Sequence, residues 1–355
     1  MKLNKMREEI ANQFITALKE DKIPWRKDWS AIPPMPVNAI TDNRYRGLNA
    51  FWLYMTAEDR GYKDPRWCTY MQASDKGWQV KKGEKGTKIE FWSLYDTETK
   101  KKLTPEQDKE LECTLTPEKY KERVKPISNV YTVFNAAQID GIPQLVIEHH
   151  NLDEDMLMEK RDKLIAAMDL QFKSGEEVAF YRPSEDCIHM PDIDRFRNEY
   201  SYMATFLHEA SHATGHKSRL NRDLTGAFGR QEYAKEELRA EISSAFTSQA
   251  LGLSQSDMEH MENHKAYIQN WIAALEQNPN ELFAAIKEAG KISDYLLTKG
   301  EFLTKERIQE SKKQQQEQPE NQQIRKKVQS SGRRREICGM NITRLSFLHP
   351  LASQL

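Results

Sequence analysis

The sequence predicts an α+β fold, a small N-terminal α+β unit followed by a mainly helical half, and three observations carry that expectation. KGTKIEFWSLY and NVYTVFNAAQI are short runs rich in β-branched and aromatic residues, which is the composition of strands. From Leu157 to about residue 300, apolar residues recur at helical spacing. Beyond about residue 305, SKKQQQEQPENQQIRKKVQSSGRRRE holds almost no apolar side chains and cannot offset chain entropy by burial. At 355 residues the chain exceeds a typical single-domain length. The expected division is therefore 1–145, 152–300 and a disordered or unassigned tail at 305–355.

Each element follows in order. Leu3, Met6, Ile10, Phe14 and Leu18 fall at spacings of three and four, giving an amphipathic helix that Pro24 ends. After the proline-rich turn IPPMPVN, RYRGLNAFWLYMTAEDRGY reads as a turn entering a helix. Two strands come next. Between them, residues 96–125 are dense in Lys, Glu, Thr and Pro with little periodicity, the mark of an exposed insertion. In the second half Leu157, Leu164, Ile165 and Met168 share a helix face, and AFYRPSEDCIHMPDIDRF reads as two short strands. Helical patterns follow at NEYSYMATFLHEASHAT, YAKEELRAEISSAFTSQALG, HMENHKAYIQNWIAALEQ and PNELFAAIKEAGKISDYLL, punctuated by Gly252 and Pro279.

Composition narrows the function classes. No apolar run approaches the roughly 18 residues of a spanning helix, and MKLNKMREEIANQF lacks the apolar centre of a signal peptide. The sequence thus reads as cytoplasmic, with no membrane partner. Cys68, Cys113, Cys187 and Cys338 are far apart with no C-x-x-C pair, which argues against a disulfide framework or a thiolate zinc knuckle. With 53 Lys plus Arg against 54 Asp plus Glu, the net charge of -1 argues against a generally basic nucleic-acid binder and leaves local patches open.

The sharpest motif is His208-Glu209-Ala210-Ser211-His212, an H-E-x-x-H on a predicted helix. Imidazoles at i and i+4 share a face and can hold one Zn²⁺ or another divalent ion, with Glu209 beside the open position as the catalytic acid and base. A third ligand is offered by Glu237, with Glu241 one turn on as the carboxylate that accepts a proton from the far nitrogen of a ligand histidine. This E-x-x-A-E run is similar to the E-x-x-x-D run of glutamate zincins. Both acids are expected opposite the helix's packing face. The plain alternative is two partly buried helix histidines and solvent-facing glutamates. His216 stands too close to His212 for the three-histidine pattern and is expected to cap carbonyls at a helix end. Zinc-dependent peptide hydrolysis is the natural reaction class for such a site. Tyr233 is a candidate oxyanion stabiliser.

In the N-terminal half, aromatic residues alternate with Arg44, Arg46, Arg66, Lys76, Lys81, Lys82, Lys85 and Lys88. Six of the seven tryptophans lie in residues 1–95. Aromatic faces that stack on unpaired bases, beside cations that follow phosphates, suit single-stranded nucleic acid. Arg44, Tyr45, Arg46, Trp67, Lys81, Lys82, Lys85 and Lys88 are the candidate contacts. Against this, most tryptophans of a small domain are core, and KKGEKG is an ordinary solvated turn.

The motifs together resemble a known family. PW, PVN, YRGLN, PRWCTYMQA, VKKGEKGT and VFNAAQIDG resemble, in order, the N-terminal single-stranded-DNA-binding domain of ArdC-type antirestriction proteins. HEASHATGHKSRLNR and YAKEELRAEISSAF resemble that family's zincin-like metallopeptidase domain. The resemblance implies an antirestriction protein of a mobile genetic element such as a plasmid or phage, binding single-stranded DNA as the element enters and protecting it from host restriction, with a host protein as a candidate substrate. It implies metal ligands at His208, His212 and Glu237, and catalysis at Glu209. The residues after 305 fall outside it. A non-catalytic single-strand binder with a zincin scaffold, serving transfer or replication, and a plain metallopeptidase are the competing readings.

Overall fold

The computed structural model describes residues 4–20, 35–145, 154–224, 231–251, 253 and 264–302. Leu3, Pro24, Trp25, Trp29, Gly252, Cys338 and the segment from 305 onward lie outside them.

Helix α1 (Lys5–Lys19) begins where the Asn4 side chain accepts the Arg7 amide, and it buries the expected stripe of Met6, Ile10, Phe14 and Leu18. Each such side chain contributes about 1.5–3 kcal/mol by leaving water. Then come β1 (Val37–Asn38), α2 (Gly47–Arg60), β2 (Arg66–Thr69), α3 (Tyr70–Asp75), β3 (Gln79–Val80) and β4 (Thr87–Asp96). The first half closes with β5 (Lys101–Lys102), α4 (Pro105–Thr114), α5 (Pro117–Arg123), β6 (Val124–Asn135) and β7 (Ile139–Asp140). Its main sheet has the order β1-β2-β6-β4-β5. The long antiparallel pair β4 and β6 runs in register from Thr87↔Val133 to Asp96↔Val124 and corresponds to the two strands read from sequence.

The insertion at 96–125 is exposed, as expected, yet it is not irregular. It holds α4 and α5, each started by a threonine cap followed by proline, and neither helix buries a residue. Threonine accepts an end amide and proline needs no donor at the first helical position, so both starts are locally specified. Arg123 closes the base of the insertion by donating twice to the Asp96 carboxylate, at 2.9 and 2.8 Å.

The second half contains α6 (Glu154–Met168), β8 (Gln171–Ser174), β9 (Phe180–Arg182), β10 (Cys187–Met190), α7 (Glu199–Ala213), α8 (Gln231–Leu251), α9 (His264–Gln277) and α10 (Asn280–Lys299). Its sheet has the order β8-β10-β9, which leaves β9 at an edge. One hydrophobic core joins α1, α2 and a face of the main sheet to α8, α9 and α10. A second core lies among α6, α7, the small sheet and α10. Helix α10 serves both, giving Leu282, Phe283 and Ile286 to the first and Ile292 and Leu296 to the second. Packing therefore crosses the sequence position near 145. Among the described residues no helix is long and apolar enough to cross a membrane.

Candidate metal centre

Helix α7 starts at Asn198, whose side chain accepts the Ser201 amide. Met203, Phe206, Leu207, Ala210 and Ala213 bury its inner face in the second core. The histidines at i and i+4 fall on the side facing α8, which is buried nearly all round. Glu237 and Glu241 accordingly do not lie opposite a packing face, as the sequence suggested. They are 5% and 1% exposed, because α8 is wedged between α7, α9 and α10.

The three expected ligands meet. His208 Nε2 and His212 Nε2 are 3.1 Å apart. The Glu237 carboxylate reaches His208 Nε2 at 3.5 Å and His212 Nε2 at 3.3 Å. Donors about 2.0–2.1 Å from a tetrahedral ion lie roughly 3.3–3.4 Å from one another, so a triangle of this size fits one face of a zinc-like coordination shell. Two imidazole nitrogens and one carboxylate oxygen, His208 and Glu237 buried and His212 partly buried, form a donor set suited to a divalent cation.

The electrostatics agree with that fit. Burial works against a charged His212, but the Glu237 and Glu236 carboxylates outweigh it and hold its pKa well above the ordinary value. Burial likewise opposes a charged His208, and the hydrogen bond to Glu237 with the charges of Glu241 and Glu209 overcomes burial and the neighbouring His212. Burial raises Glu237, yet His212 and His208 pull it far below the usual carboxylate range. A field that draws protons onto both imidazoles also draws a cation. Glu209 differs: burial pushes its carboxyl up, and His208 and His212 offset this only in part. It accepts a backbone hydrogen bond from Tyr181 on the edge strand β9.

Around the triangle, the structure adds residues that the sequence reading missed. Glu236 Oε1 faces His212 Nδ1 at 3.4 Å and accepts from Arg222 Nη2 at 2.7 Å. Arg222 also donates to the Ser211 carbonyl at 2.8 Å and to Thr214 Oγ1 at 2.6 Å, tying the end of α7 to α8. Glu236 thus stands on His212 in the place expected of Glu241. Glu241 acts on His208 through its charge, while His208 Nδ1 is buried without a hydrogen bond. The only local signal for Glu236 was its position beside Glu237, and Arg222 lay in the motif HKSRLNR without an assigned partner. His216 does not cap carbonyls with its ring; its Nδ1 faces Ser218 Oγ at 2.8 Å. Tyr233 packs against the first core.

A second group, Glu185, Cys187 and His189, also brings possible donors together. Glu185 is already held by Arg182 at 2.6 Å and Lys173 at 3.3 Å, and His189 stacks on Phe180 with Nδ1 facing Glu176 at 3.0 Å.

The nucleic-acid candidates divide. Trp67 is fully buried and Tyr45 is 3% exposed, so neither ring has a face to offer a base, and this corrects the expectation for both. Arg46 pairs with Asp294, and Arg44 donates to the Ala250 carbonyl at 3.3 Å. Lys81 donates to the Ala137 carbonyl at 2.9 Å, while Lys82, Lys85 and Lys88 are exposed. Among the described residues of this half, the large aromatic side chains that are exposed are Tyr70 and Trp92, at 53% and 40%.

Known proteins are similar to this chain in sequence and fold. Residues 4–134 match the family model for the N-terminal domain of anti-restriction factor ArdC, and residues 159–288 match a zincin-like metallopeptidase. The crystal structure of antirestriction ArdC protein from the R388 plasmid, in metal-free form, superposes with a TM-score of 0.65 at 32% identity, covering 85% of this chain and 100% of that one. The Mn(II)-bound form gives 0.64. A DNA primase TraC of Escherichia coli is 40% identical over 315 residues, 87% of this chain but 28% of the relative. The chain thus spans little more than a quarter of that protein's length. The uncharacterized protein y4eC of Sinorhizobium fredii is 34% identical over 295 residues, 81% of this chain and 90% of the other.

Proposed function

Because the chain belongs to the ArdC antirestriction family, we propose that it protects a mobile genetic element by binding the element's single-stranded DNA and by hydrolysing a host protein at a zinc centre. It would work in the cytoplasm that the incoming strand enters. The observation that carries the enzymatic part is the triangle of His208, His212 and Glu237 with edges of 3.1–3.5 Å beside a buried Glu209.

A divalent ion held there supplies an acidified water and polarisation of a carbonyl. The chain's own residues do the rest. Glu209, whose carboxyl is raised by burial, takes a proton from the attacking water and returns it to the departing amine. The edge strand β9 is placed to pair with an extended peptide, since its Tyr181 amide already reaches Glu209. Glu236 and Arg222 hold the His212 ring in orientation.

The test is Glu209→Gln, assayed for protection of incoming plasmid DNA in a restricting host with metal content measured in parallel. Loss of protection at unchanged metal supports proteolysis. Full protection moves the reading to a non-catalytic single-strand binder in transfer or replication, which the likeness to DNA primase TraC favours.

A further inference from the structure

A cavity of about 730 Å³ opens between the N-terminal unit and α10. Pockets of about 300–1,000 Å³ take ligands of drug size, so this one accommodates a short stretch of nucleotides and not a duplex. One wall is the segment Arg44–Asn49, part of the motif RYRGLN, together with Trp92 on β4. The other is the face of α10 on which Phe283, Lys287, Gly290, Lys291 and Asp294 recur at helical spacing.

Three features point to the occupant. The first is charge. Five cations line the cavity against two carboxylates, Glu90 and Asp294. Arg7 pairs with Glu90 at 3.0 Å and Arg46 with Asp294, while Lys287 and Lys291 are exposed one turn apart. Burial, with Arg44 adjacent, lowers Arg46 to about 10. The second is Trp92, the one markedly exposed tryptophan among the described residues, standing at this wall. The third is Gly290. Mid-helix glycine costs about 1 kcal/mol relative to alanine, and a Cβ there would meet nothing within 4 Å. Packing does not require that glycine, and the open space beside it leaves room for the close approach of a ligand.

We propose that this cleft binds a segment of single-stranded DNA, with Lys287 and Lys291 on its phosphates and Trp92 against a base. The inference rests on the single-strand reading above and locates it between the halves instead of on the lysine turn at 81–88. The alternation of cations with an aromatic face is the chemistry that holds unpaired strands without reading their sequence.

The experiment titrates the full chain with a labelled oligothymidylate of roughly 12 nucleotides across a salt series. The variants are Lys287→Glu/Lys291→Glu, Gly290→Leu and, as a charge control on the insertion, Lys119→Glu/Lys121→Glu, each checked for an unchanged melting temperature. Both cleft variants should weaken binding by about tenfold or more, and the lysine pair should flatten the salt slope by roughly 1.4. The insertion control should change little. Binding by the parent that both cleft variants match, or a loss that the control reproduces in full, overturns the cleft assignment alone. No binding by the parent at low salt overturns the single-strand reading itself and this inference with it.

Discussion

Ser243 on α8 donates its hydroxyl hydrogen to Ser211 Oγ on α7 at 2.7 Å, with both side chains fully buried. The bond sits one residue before His212 on α7 and six after Glu237 on α8, so it fixes how the two helices are phased where the proposed ligands converge. Ser244 Oγ adds a bond to the Ala204 carbonyl at 3.2 Å, and Thr247 Oγ1 reaches Ser293 Oγ on α10 at 3.0 Å. Helix α8 is held between its neighbours by small hydroxyls as well as by apolar contact.

Ser243→Ala should lower stability by about 1 kcal/mol, the usual worth of a buried hydrogen bond. Ser211 keeps its own bond to the Leu207 carbonyl. A fall of the melting temperature by roughly 2–4 °C is expected for a chain of this size, and an unchanged melting curve would deny the contact any weight.

Metal content should separate the ligands from their catalytic neighbour. His208→Ala and Glu237→Ala are expected to emerge from purification with little bound metal, and Glu209→Gln with as much as the parent. Mass spectrometry for zinc and manganese decides the matter, and equal loading of all three variants would dissolve the triangle as a site.

Glu236→Gln and Arg222→Ala should retain the ion but hold it more weakly, by about 10–100-fold. Competition with a chromogenic chelator measures this. Affinity equal to the parent's would show that His212 is oriented by its helix alone.

Asp96 gives a pH signature away from the centre. The Arg123 hydrogen bonds, against opposition from burial and with help from Thr99, hold its carboxyl far below the usual range. A depressed folded pKa contributes stability that is present above the unfolded value near 3.9 and fades as pH falls towards the folded value. Asp96→Asn should therefore melt lower than the parent at neutral pH, with the gap closing below about pH 4. A gap that stays constant with pH would mean the charge is not what matters.

The elements of the fold were legible wherever local pattern sufficed. Periodicity gave α1, α6, α7 and α10, and β-branched runs gave β4 and β6. The threonine-proline starts of α4 and α5 were written in residues 104–107 and 116–119 but carried no apolar periodicity to draw notice. The histidines proposed as ligands were readable because helix geometry alone places them together. Glu236 and Arg222 were not, since their partners come from a different helix and a loop. Tyr45 and Trp67 show the same limit from the other side. Composition reveals that a segment is aromatic, and only tertiary packing decides which rings turn inward.

One helix that completes two cores ties the two halves of the molecule to each other. Because α10 lies against α2 while its later turns seal the core beneath α7, a recombinant gene that joined a foreign first half to this second half would have to match the stripe Leu282–Ile286 as well as the join. Exchange of the halves among plasmids should thus be rarer than their separate chemistries would suggest, and compensating changes should accumulate across that stripe.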